Sequence, residues 1–461
     1  MTQTTRLASR PKILPRMAVA SDRPLPARVR STTAHERRKH VTRQRIGLLG
    51  LFGTGNSGNN GSLEAMLRFL REVRPDAEIT CICSAHRGAA DRVARSLGVA
   101  TTSLGIPPPE SGLLRTVDRL SLTLPRRIAS LVHAVRRARK LDALIVPGTG
   151  ILDDFGGSPF GMPLALLAWC LTARLRGAWI AFVSIGAGPI HNPISRWLMK
   201  SAVALADYRS YRDTVSKAFM ESIGFDARDD AVYPDIAFRL PSPAAPRRPR
   251  PDRRLVVGVG VMTYWGWRND AARGAAIYQA YRDKLTSFVL WLLDRGHAVR
   301  ILMGDTNDQR AVNDLLANVA AARPDLPDDR FLFEPMSSLH DLMRQIAETD
   351  VVVATRYHNV VCALKLGKPT VSISYADKND VLMAEMGLGG FCQHVERLDL
   401  DRLIEQFSQL ITDRPRYELG IGKANLACQE RLDHQDALLA ARLRGAWLER
   451  TIVIENRERL Q

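Results

Sequence analysis

From residue 45 onward, short apolar runs alternate with longer amphipathic stretches along the chain. Runs of about four to eight apolar residues are typical of strands that are buried on both faces of a parallel sheet. The stretches between them have the length and the spacing of apolar positions that helices show. The alternation predicts an α/β protein built from βαβ units.

The predicted elements fall into two groups with the same pattern. In the first group the strands are Ile46–Phe52, Glu78–Ser84, Ala143–Val146, Trp179–Ile185 and Tyr208–Tyr211, and the helices are Ser62–Val73, Leu114–Lys140, Pro163–Leu175, Pro193–Ala206 and one that begins after Asp213. In the second group the strands are Leu255–Val261, Ala298–Met303, Phe331–Phe333, Val351–Ala354 and Thr370–Ser374, and the helices are Ala275–Arg295, Asn307–Ala322, Ser338–Glu348, a short one ending at Leu366, and others from Leu400.

A stretch rich in proline and arginine separates the two groups and reads as an interdomain linker. The pattern therefore predicts two Rossmann-like domains that face each other across a cleft. The predicted division of the chain is a disordered basic tail (1–44), a first domain (45–240), the linker (241–254), a second domain (255–425) and C-terminal helices (426–461).

The formal net charge of +17 changes this picture only at the edges of the domains. Residues 1–45 carry twelve arginine or lysine residues against two acidic ones, and residues 241–254 carry five against one. The rest of the chain is close to neutral, which does not favour a nucleic-acid partner, because such a partner requires a basic face on a folded module. The tail is typical of disorder, and peripheral contact with an anionic membrane surface is its functional alternative.

Cysteine and histidine usage narrows the function classes further. The six cysteines form no C-x-x-C pair, so free thiols in a reducing compartment and a cytoplasmic location are expected. The ten histidines are scattered, so no metal site is predicted. The most apolar stretch, residues 162–188, is interrupted by Arg174 and Arg176, which disfavours a membrane span.

The first strand is followed by Gly53-Thr54-Gly55-Asn56-Ser57-Gly58, which matches G-x-G-x-x-G. A dinucleotide site would also need an acidic residue at the end of the next strand, and none is present there. A turn of this kind offers bare backbone N–H groups to an anion or to sugar hydroxyls, which makes Gly55, Asn56 and Asn59 candidates for substrate binding. The alternative is a tight turn that only connects the strand to the following helix and binds no ligand.

Two further strand ends carry candidate polar groups on the same side of the sheet. Asp153 and Asp154 follow the strand Ala143–Val146, where open α/β sheets place ligands, and a carboxylate there can accept a hydroxyl proton. Gly188 and His191 follow the next strand. A helix-capping role for the acids and no role for the histidine are the alternatives.

The sharpest signal is the end of the very apolar strand Val351–Ala354, where Arg356 and His358 follow directly. Arginine binds carboxylate or phosphate as a bidentate fork, and histidine titrates near neutral pH. Lys378, after the next strand, would add a second cation. A structural ion pair is the alternative for Arg356.

Arg209 and Arg212 lie at the end of the strand Tyr208–Tyr211. An arginine at this position can point into the cleft, and a structural ion pair is again the alternative.

The ordered set of these motifs resembles the polysaccharide pyruvyl transferase family. The resemblance covers residues 45–405 and includes Gly148–Asp154, Ser184–Pro189, the segment Tyr211–Ser216, Tyr233-Pro234-Asp235, Arg356-Tyr357-His358, Gly367-Lys368-Pro369 and Tyr375–Lys378. It implies a glycosyltransferase-B-like (GT-B) fold, phosphoenolpyruvate as a donor co-substrate with no other cofactor, and a polysaccharide or lipid-linked oligosaccharide acceptor that receives pyruvate as a ketal.

The resemblance also implies roles for single residues. Arg356 and His358 correspond to the donor-binding arginine and histidine of the family, and Arg212 corresponds to its cleft arginine. The first domain would hold the acceptor. Apart from the resemblance, the chemistry leaves His358 either as the acid or as a clamp for phosphate, and it makes Asp153 or Asp154 the candidate base for the acceptor hydroxyl. Two positions depart from the usual family pattern, since Asn59 stands where an aspartate is common and Thr149 stands in a run of glycines.

Two other functions stay open at the level of sequence. A sugar-nucleotide-dependent glycosyltransferase of the same architecture would need a carboxylate in the second domain for the donor ribose, and Glu334 and Asp377 are candidates. A polysaccharide-binding relative that has lost its catalytic residues is the non-enzymatic alternative.

Overall fold

The computed structural model describes residues 43–84, 97–106, 111–112, 123–244, 254–266 and 271–458. These residues form two parallel sheets with helices on their faces, as predicted. The strands of the first sheet are β1 (Arg45–Gly50), β2 (Glu78–Cys83), β3 (Ala100–Ser103), β4 (Ala143–Pro147), β5 (Trp179–Ile185), β6 (Tyr208–Tyr211) and β7 (Ala231–Val232). The strands of the second sheet are β8 (Val256–Val261), β9 (Ala298–Met303), β10 (Phe331–Phe333), β11 (Val351–Ala354), β12 (Thr370–Ser374) and β13 (Cys392–His394).

The helices alternate with the strands along the chain. In the first half they are α1 (Ser57–Val73), α2 (Leu124–Ala138), α3 (Met162–Leu175), α4 (Pro193–Ala204) and α5 (Thr214–Ser222), followed by a 3-10 turn at Ile236–Arg239. In the second half they are α6 (Ala271–Asp294), α7 (Gln309–Ala322), α8 (Leu339–Ala347), α9 (Tyr357–Lys365), α10 (Asp377–Glu385), α11 (Leu400–Thr412) and α12 (Arg414–Glu458). Among the residues described, no helix is both long enough and apolar enough to cross a membrane.

The strand order places the ends of four strands beside the cleft. The first sheet runs β3-β2-β1-β4-β5-β6-β7 and the second β10-β9-β8-β11-β12-β13, so the order reverses beside β1 and beside β8. Open parallel sheets bind ligands beyond the carboxyl ends of the strands at such switch points. The turns after β1, β4, β8 and β11 are therefore the expected surroundings of a ligand.

The short edge strands β3, β7 and β13 were not predicted. Each is the outermost strand of its sheet and has only two to four residues, too few to form a recognisable apolar run. An edge strand is paired on one side only, so its sequence does not need the continuous apolar run that marks a central strand.

The first helix begins earlier than predicted, at Ser57 instead of Ser62. Asn56 caps it, because its Oδ1 accepts the N–H groups of Gly58 (3.0 Å) and Asn59 (3.2 Å). Glycine and asparagine have low helix propensity, so the sequence favoured a loop here. Contacts with the second domain explain the glycines, because a Cβ atom at Gly61 would overlap the side chain of Leu339.

The predicted helix Leu114–Lys140 is observed only as α2, which begins at Leu124. Residues 113–122 lie outside the described part of the chain, as do the basic tail up to residue 42 and residues 245–253 of the linker.

The predicted boundary at residue 425 falls inside one continuous helix, α12. This helix leaves the second domain and packs against the first. Gln435 bridges strand ends of the first sheet, accepting a hydrogen bond from the Ser184 hydroxyl (3.1 Å) and donating one to Ser210 Oγ (2.9 Å). Tyr233 and His434 form a second link of 2.9 Å. The C-terminal helix therefore ties the two halves together.

Candidate active site between the two domains

The turn after β1 is in direct contact with the second domain. The carbonyl of Gly55 accepts the N–H of Thr306 (3.3 Å), and Asn56 forms an isolated bridge with Asp305. Gly55 has a φ of +97°, and a Cβ there would overlap the Thr306 hydroxyl, so both the backbone conformation and the space require glycine. The predicted candidates Gly55 and Asn56 thus lie where the domains meet.

The expectation that this turn presents bare backbone N–H groups is wrong for three of them. Asn56 Oδ1 accepts the N–H groups of Gly58 and Asn59, and Asn60 Oδ1 accepts that of Gly53 (2.9 Å). Short polar side chains at a helix start satisfy the orphan donors that would otherwise attract an anion. The Asn59 amide donates to the Leu51 carbonyl (3.2 Å).

Arg356, directly after β11, is held in position by a buried carboxylate. Its Nε and Nη2 donate to the two oxygens of Asp308 at 2.7 and 2.6 Å, and Nη1 lies 3.9 Å from Asp305. Asp308 is fully buried and also accepts the N–H of Thr263. Burial raises the pKa of Asp308 although Arg356 acts to lower it. The ion-pair alternative is therefore realised, and it fixes the direction in which Nη1 points.

His358 lies in the first turn of α9 and packs on the backbone of the first domain. A Cβ atom at Gly58 would overlap its imidazole, so the close approach needs glycine at this position. His358 Nε2 is buried and has no hydrogen-bond partner within the described ranges. The nearest carboxylate oxygen is Asp235 Oδ2, 3.7 Å away, which is beyond hydrogen-bond distance but within reach of an ion pair.

Arg212, after β6, is the second buried arginine of the site. Its Nε and Nη1 lie 3.4 Å from Asp213 and 3.5 Å from Asp235, and its guanidinium covers the ring of Tyr357 at 4.7 Å. A Cβ at Gly186 would come within 2.6 Å of Nη2, so the arginine fills the space that this glycine leaves. Burial acts to raise the pKa of Asp235, but His358 and Arg212 outweigh it and hold that pKa low.

Tyr375 lies among the three predicted cations. Tyr375 directly follows β12 and is buried, and the Nζ of Lys378 lies 4.8 Å from the centre of its ring. Burial alone would raise the pKa of the phenol, but the charges of Lys378, Arg356 and Arg212 outweigh burial and lower it. Lys378 Nζ also lies 5.6 Å from the ring centre of Tyr357, which the Arg212 guanidinium covers at 4.7 Å, so the two cations flank neighbouring tyrosine rings.

Asp153 and Asp154 have different environments although they are neighbours. Asp153 Oδ1 accepts the N–H of Phe155 (2.7 Å), and its other oxygen packs against Gly188. Burial raises the pKa of Asp153, while the Phe155 N–H and the charge of Lys378 act against it. Lys378 belongs to the second domain, so Asp153 faces the part of the site that the second domain contributes.

Asp154 supports the loop that carries His191. Its Oδ2 accepts the N–H groups of His191 (2.7 Å) and Asn192 (2.9 Å), and its Oδ1 accepts that of Gly156 (3.2 Å). Burial acts to raise its pKa, but these three N–H groups lower it. His191 itself is exposed, at the outer edge of the site.

The structure thus brings most of the predicted residues together and leaves one out. The Nε of Arg209 donates to both carboxylate oxygens of Asp230 (2.9 Å each), so this arginine is held by an ion pair instead of pointing into the cleft. The cations that remain are accompanied by buried aspartates, so the site is not a region of net positive charge. A site with this balance of charge can attract an anion only through directed N–H donors and through Lys378.

Sequence reasoning missed Tyr375, Asp235 and Asp308 as members of the site. Asp235 and Tyr375 lie in segments that carry the family resemblance, which is a signal that could have identified them. Asp308 had no such signal, because its pairing with Arg356 depends on the sheet order β9-β8-β11, which brings the segment after β9 near the end of β11. No group of three or more residues suited to a metal ion occurs within the described ranges.

Solved structures share this architecture at low sequence identity. They include MnaA of S. aureus with UDP (14% identity, 86% of this chain and 97% of that chain, TM-score 0.54) and HepE of Anabaena with UDP-glucose (14%, 86% and 99%, 0.52). A UDP-GlcNAc 2-epimerase from Methanocaldococcus jannaschii matches at 12% identity, covering 79% and 92%, with a TM-score of 0.52. No curated protein sequence matches the chain.

The fold and the position of the site define an α/β protein of the GT-B class, with two Rossmann-like domains and a site between them. The sequence profile of the family described as polysaccharide pyruvyl transferase matches residues 56–377. The chain belongs to this family, which acts in the modification of polysaccharides. The match begins at Asn56, the cap of α1, and ends at Asp377, next to Lys378.

Proposed function

We propose that the protein transfers the pyruvyl group of phosphoenolpyruvate to two hydroxyls of a polysaccharide or lipid-linked sugar, forming a cyclic ketal and releasing phosphate. The observation that carries the proposal is the grouping of Arg212 and Lys378 around the rings of Tyr357 and Tyr375, beside the Arg356 guanidinium that Asp308 holds in place. Phosphoenolpyruvate is small and carries a carboxylate and a phosphate, and guanidinium groups bind both as planar donors.

The reaction needs a proton at the methylene carbon C3 of the donor. Its addition makes C2 electrophilic, and a sugar hydroxyl adds there. The bond from C2 to the phosphate oxygen then breaks, and a second hydroxyl closes the ketal. The two hydroxyls lose one proton each. One of these protons replaces the proton given to C3, and the other leaves with phosphate, so no oxidant or reductant is needed.

We assign the proton transfer to C3 to Tyr375, because neighbouring cations stabilise its phenolate and make the phenol a stronger acid. We assign the transfer to the departing phosphate to His358, which lies at the junction of the domains with an unpartnered nitrogen. Asp153 is the proposed base for the acceptor hydroxyl. Unlike Asp154, it is not occupied by three backbone N–H groups.

A sugar nucleotide as donor is the competing function. Of its two candidate ribose carboxylates, Glu334 is held by Arg300 (3.1 Å) and Arg344 (2.6 Å). Asp377 is exposed in the first turn of α10. MnaA and HepE, which match in fold, are bound to UDP and UDP-glucose, so the test must include nucleotide sugars.

Calorimetric titration separates the two functions. We expect binding of phosphoenolpyruvate and none of UDP-sugars. We also expect the mass of a lipid-linked oligosaccharide acceptor to increase by one pyruvyl ketal, with release of phosphate. Binding of a UDP-sugar without phosphoenolpyruvate binding would overturn the proposal, and donor binding without turnover on any acceptor would favour the decayed relative.

We expect Tyr375→Phe to lower kcat by about 10²- to 10⁴-fold, which is the usual contribution of a general acid. The phenylalanine keeps the ring between Lys378 and Tyr264, so KM for phosphoenolpyruvate should change little. The matched control is Tyr264→Phe, since the Tyr264 hydroxyl donates away from the cations to Glu396 (2.9 Å). An unchanged kcat in Tyr375→Phe would show that Tyr375 is not the acid that protonates C3.

We expect Asp153→Asn and Asp154→Asn to have different effects. Asp153→Asn should lower kcat by about 10²- to 10⁴-fold. In the wild type, kcat should fall as the pH falls through the raised pKa of Asp153, because the base must be ionised. This acidic limb should be missing from the pH profile of Asp153→Asn.

Asp154→Asn should instead lower the free energy of unfolding by about 1–3 kcal/mol, because it leaves a partly buried N–H group of the His191 loop without its acceptor. The pKa of Asp154 is lowered in the folded state, so its ionised form stabilises the fold at neutral pH. The difference between variant and wild type should therefore shrink as the pH falls through that pKa. Equal losses of kcat in Asp153→Asn and Asp154→Asn would contradict a catalytic role for Asp153 alone.

A further inference from the structure

The helices α2, α3 and α4 expose an unusual number of apolar side chains. Of the fourteen large apolar side chains that are exposed in the described residues, eight lie on these three helices. Single exposed apolar residues are ordinary on protein surfaces, whereas a concentration of them indicates a binding surface.

On α2 the exposed apolar positions follow the helical period. Leu124, Ile128, Val132 and Val135 are 42 to 58% exposed and form one stripe along the helix. Another side of α2 packs on the core beside α3, where Ala138 is fully buried. The stripe is therefore a second apolar face that the core does not use.

The stripe continues onto the two neighbouring helices. α3 packs between α2 and α4 and exposes Leu171 and Leu175, while α4 exposes Ile194 and Trp197. Leu175 is 77% and Trp197 62% exposed. We call the exposed apolar side chains of α2, α3 and α4 the apolar face.

The charges on these helices all have one sign. α2, α3 and α4 together carry seven arginine or lysine residues and no aspartate or glutamate. One of the seven, Arg174, is paired with Asp207 of a neighbouring loop. Because the chain outside the tail and the linker is close to neutral, this is a local excess of positive charge, and it complements an anionic surface.

The apolar face borders the acceptor side of the site. The N-termini of α3 and α4 lie near Asp153 and His191, at the carboxyl ends of β4 and β5. The loop that joins β4 to α3 exposes Phe155 and Phe160, and Arg127 of α2 covers the ring of Phe160 at 5.0 Å.

We propose that the apolar face binds the surface of an anionic lipid bilayer, with the acceptor side of the cleft beside the headgroups. Basic helices with an apolar stripe insert that stripe at the boundary of headgroups and acyl chains, and their cations bind anionic lipids. An exposed tryptophan such as Trp197 is typical of that interface. The binding does not depend on which donor the enzyme uses.

The test is sedimentation of the full-length chain with phosphatidylcholine vesicles that contain or lack phosphatidylglycerol. We expect salt-sensitive binding to the anionic vesicles only. The triple variant Leu124→Ser, Ile128→Ser, Val132→Ser should bind them about tenfold or more weakly. The matched control is Leu419→Ser with Leu426→Ser on α12, two leucines that are 63 and 67% exposed, and it should bind like the wild type.

A second pair of variants tests the charge. Arg136→Gln with Arg137→Gln should weaken binding and reduce its salt dependence, whereas Arg228→Gln, on an 83% exposed side chain elsewhere, should not. All variants should keep the wild-type affinity for phosphoenolpyruvate, since none of these residues lies in the site.

Three results would overturn the proposal. The first is a triple variant that sediments like the wild type, because another segment such as the basic tail then binds the membrane. The second is a wild type that does not bind the anionic vesicles. The third is a dimer that the triple variant dissociates, because the apolar face is then a contact between two copies. A wild type that binds vesicles but not phosphoenolpyruvate would refute the proposed function and leave this proposal standing.

Discussion

Arg356→Met is expected to reduce both stability and donor binding. The fully buried Asp308 would lose the partner that donates two hydrogen bonds to it, at 2.7 and 2.6 Å. Removing one member of a buried ion pair typically lowers the free energy of unfolding by about 3–5 kcal/mol. Loss of a charged contact to phosphoenolpyruvate typically costs about 2–5 kcal/mol of binding energy, which is a weakening of about 30-fold or more.

The double variant Arg356→Met with Asp308→Asn separates the two effects. It removes the unpaired buried charge. The free energy of unfolding, measured in urea or by heating, should therefore return most of the way to the wild-type value. Donor affinity, measured by calorimetry at a temperature where every variant is folded, should stay low because the guanidinium is still missing. If the double variant binds phosphoenolpyruvate like the wild type, Arg356 has only the structural role that its ion pair provides.

His358→Gln is expected to lower kcat by about 10²- to 10⁴-fold, because glutamine can donate a hydrogen bond but cannot transfer a proton near neutral pH. The change should leave the affinity for phosphoenolpyruvate within a few-fold of the wild type, which separates a catalytic role from simple binding. Phosphate release under single-turnover conditions measures the step directly.

A second histidine at the same domain interface provides the control. His340 of α8 contacts Glu64 of α1 at 2.8 Å, so His340→Gln perturbs the contact between the domains without touching the site. Its kcat should stay near the wild-type value. A similar loss in both variants would mean that His358 acts through the closure of the domains, and a loss in affinity alone would make it a ligand of the donor.

The sequence determined the architecture because the features that define it are local. A strand buried on both faces needs a continuous apolar run, and the helix between two parallel strands needs a periodic one. Both signals are strong for Val351–Ala354 and for the helices around it, so the position of Arg356 and His358 at the end of a central strand followed directly. Ser337 or Ser338 was expected to cap the helix that follows, and Ser338 does so, because its hydroxyl accepts the N–H of Asp341.

The roles of single side chains were less accessible to sequence reasoning. Substrate binding by Asn56 stays a prediction, and the sequence did not indicate that its Oδ1 caps α1. Asp153 and Asp154 were indistinguishable in the sequence, whereas the structure gives them different hydrogen-bond partners. Such differences depend on which backbone groups come within about 3 Å, and no periodic pattern encodes them.

The sequence by itself thus determined two Rossmann-like domains, their order and the strand ends that carry functional side chains. Tertiary structure alone decided that His358 packs on Gly58 from the other domain, that Asp308 holds Arg356, and that α12 returns to the first sheet. The physical reason is the range of the interactions. Apolar periodicity records whether a position is buried, whereas the partner of a buried charge lies far along the chain and is chosen only when the domains pack together.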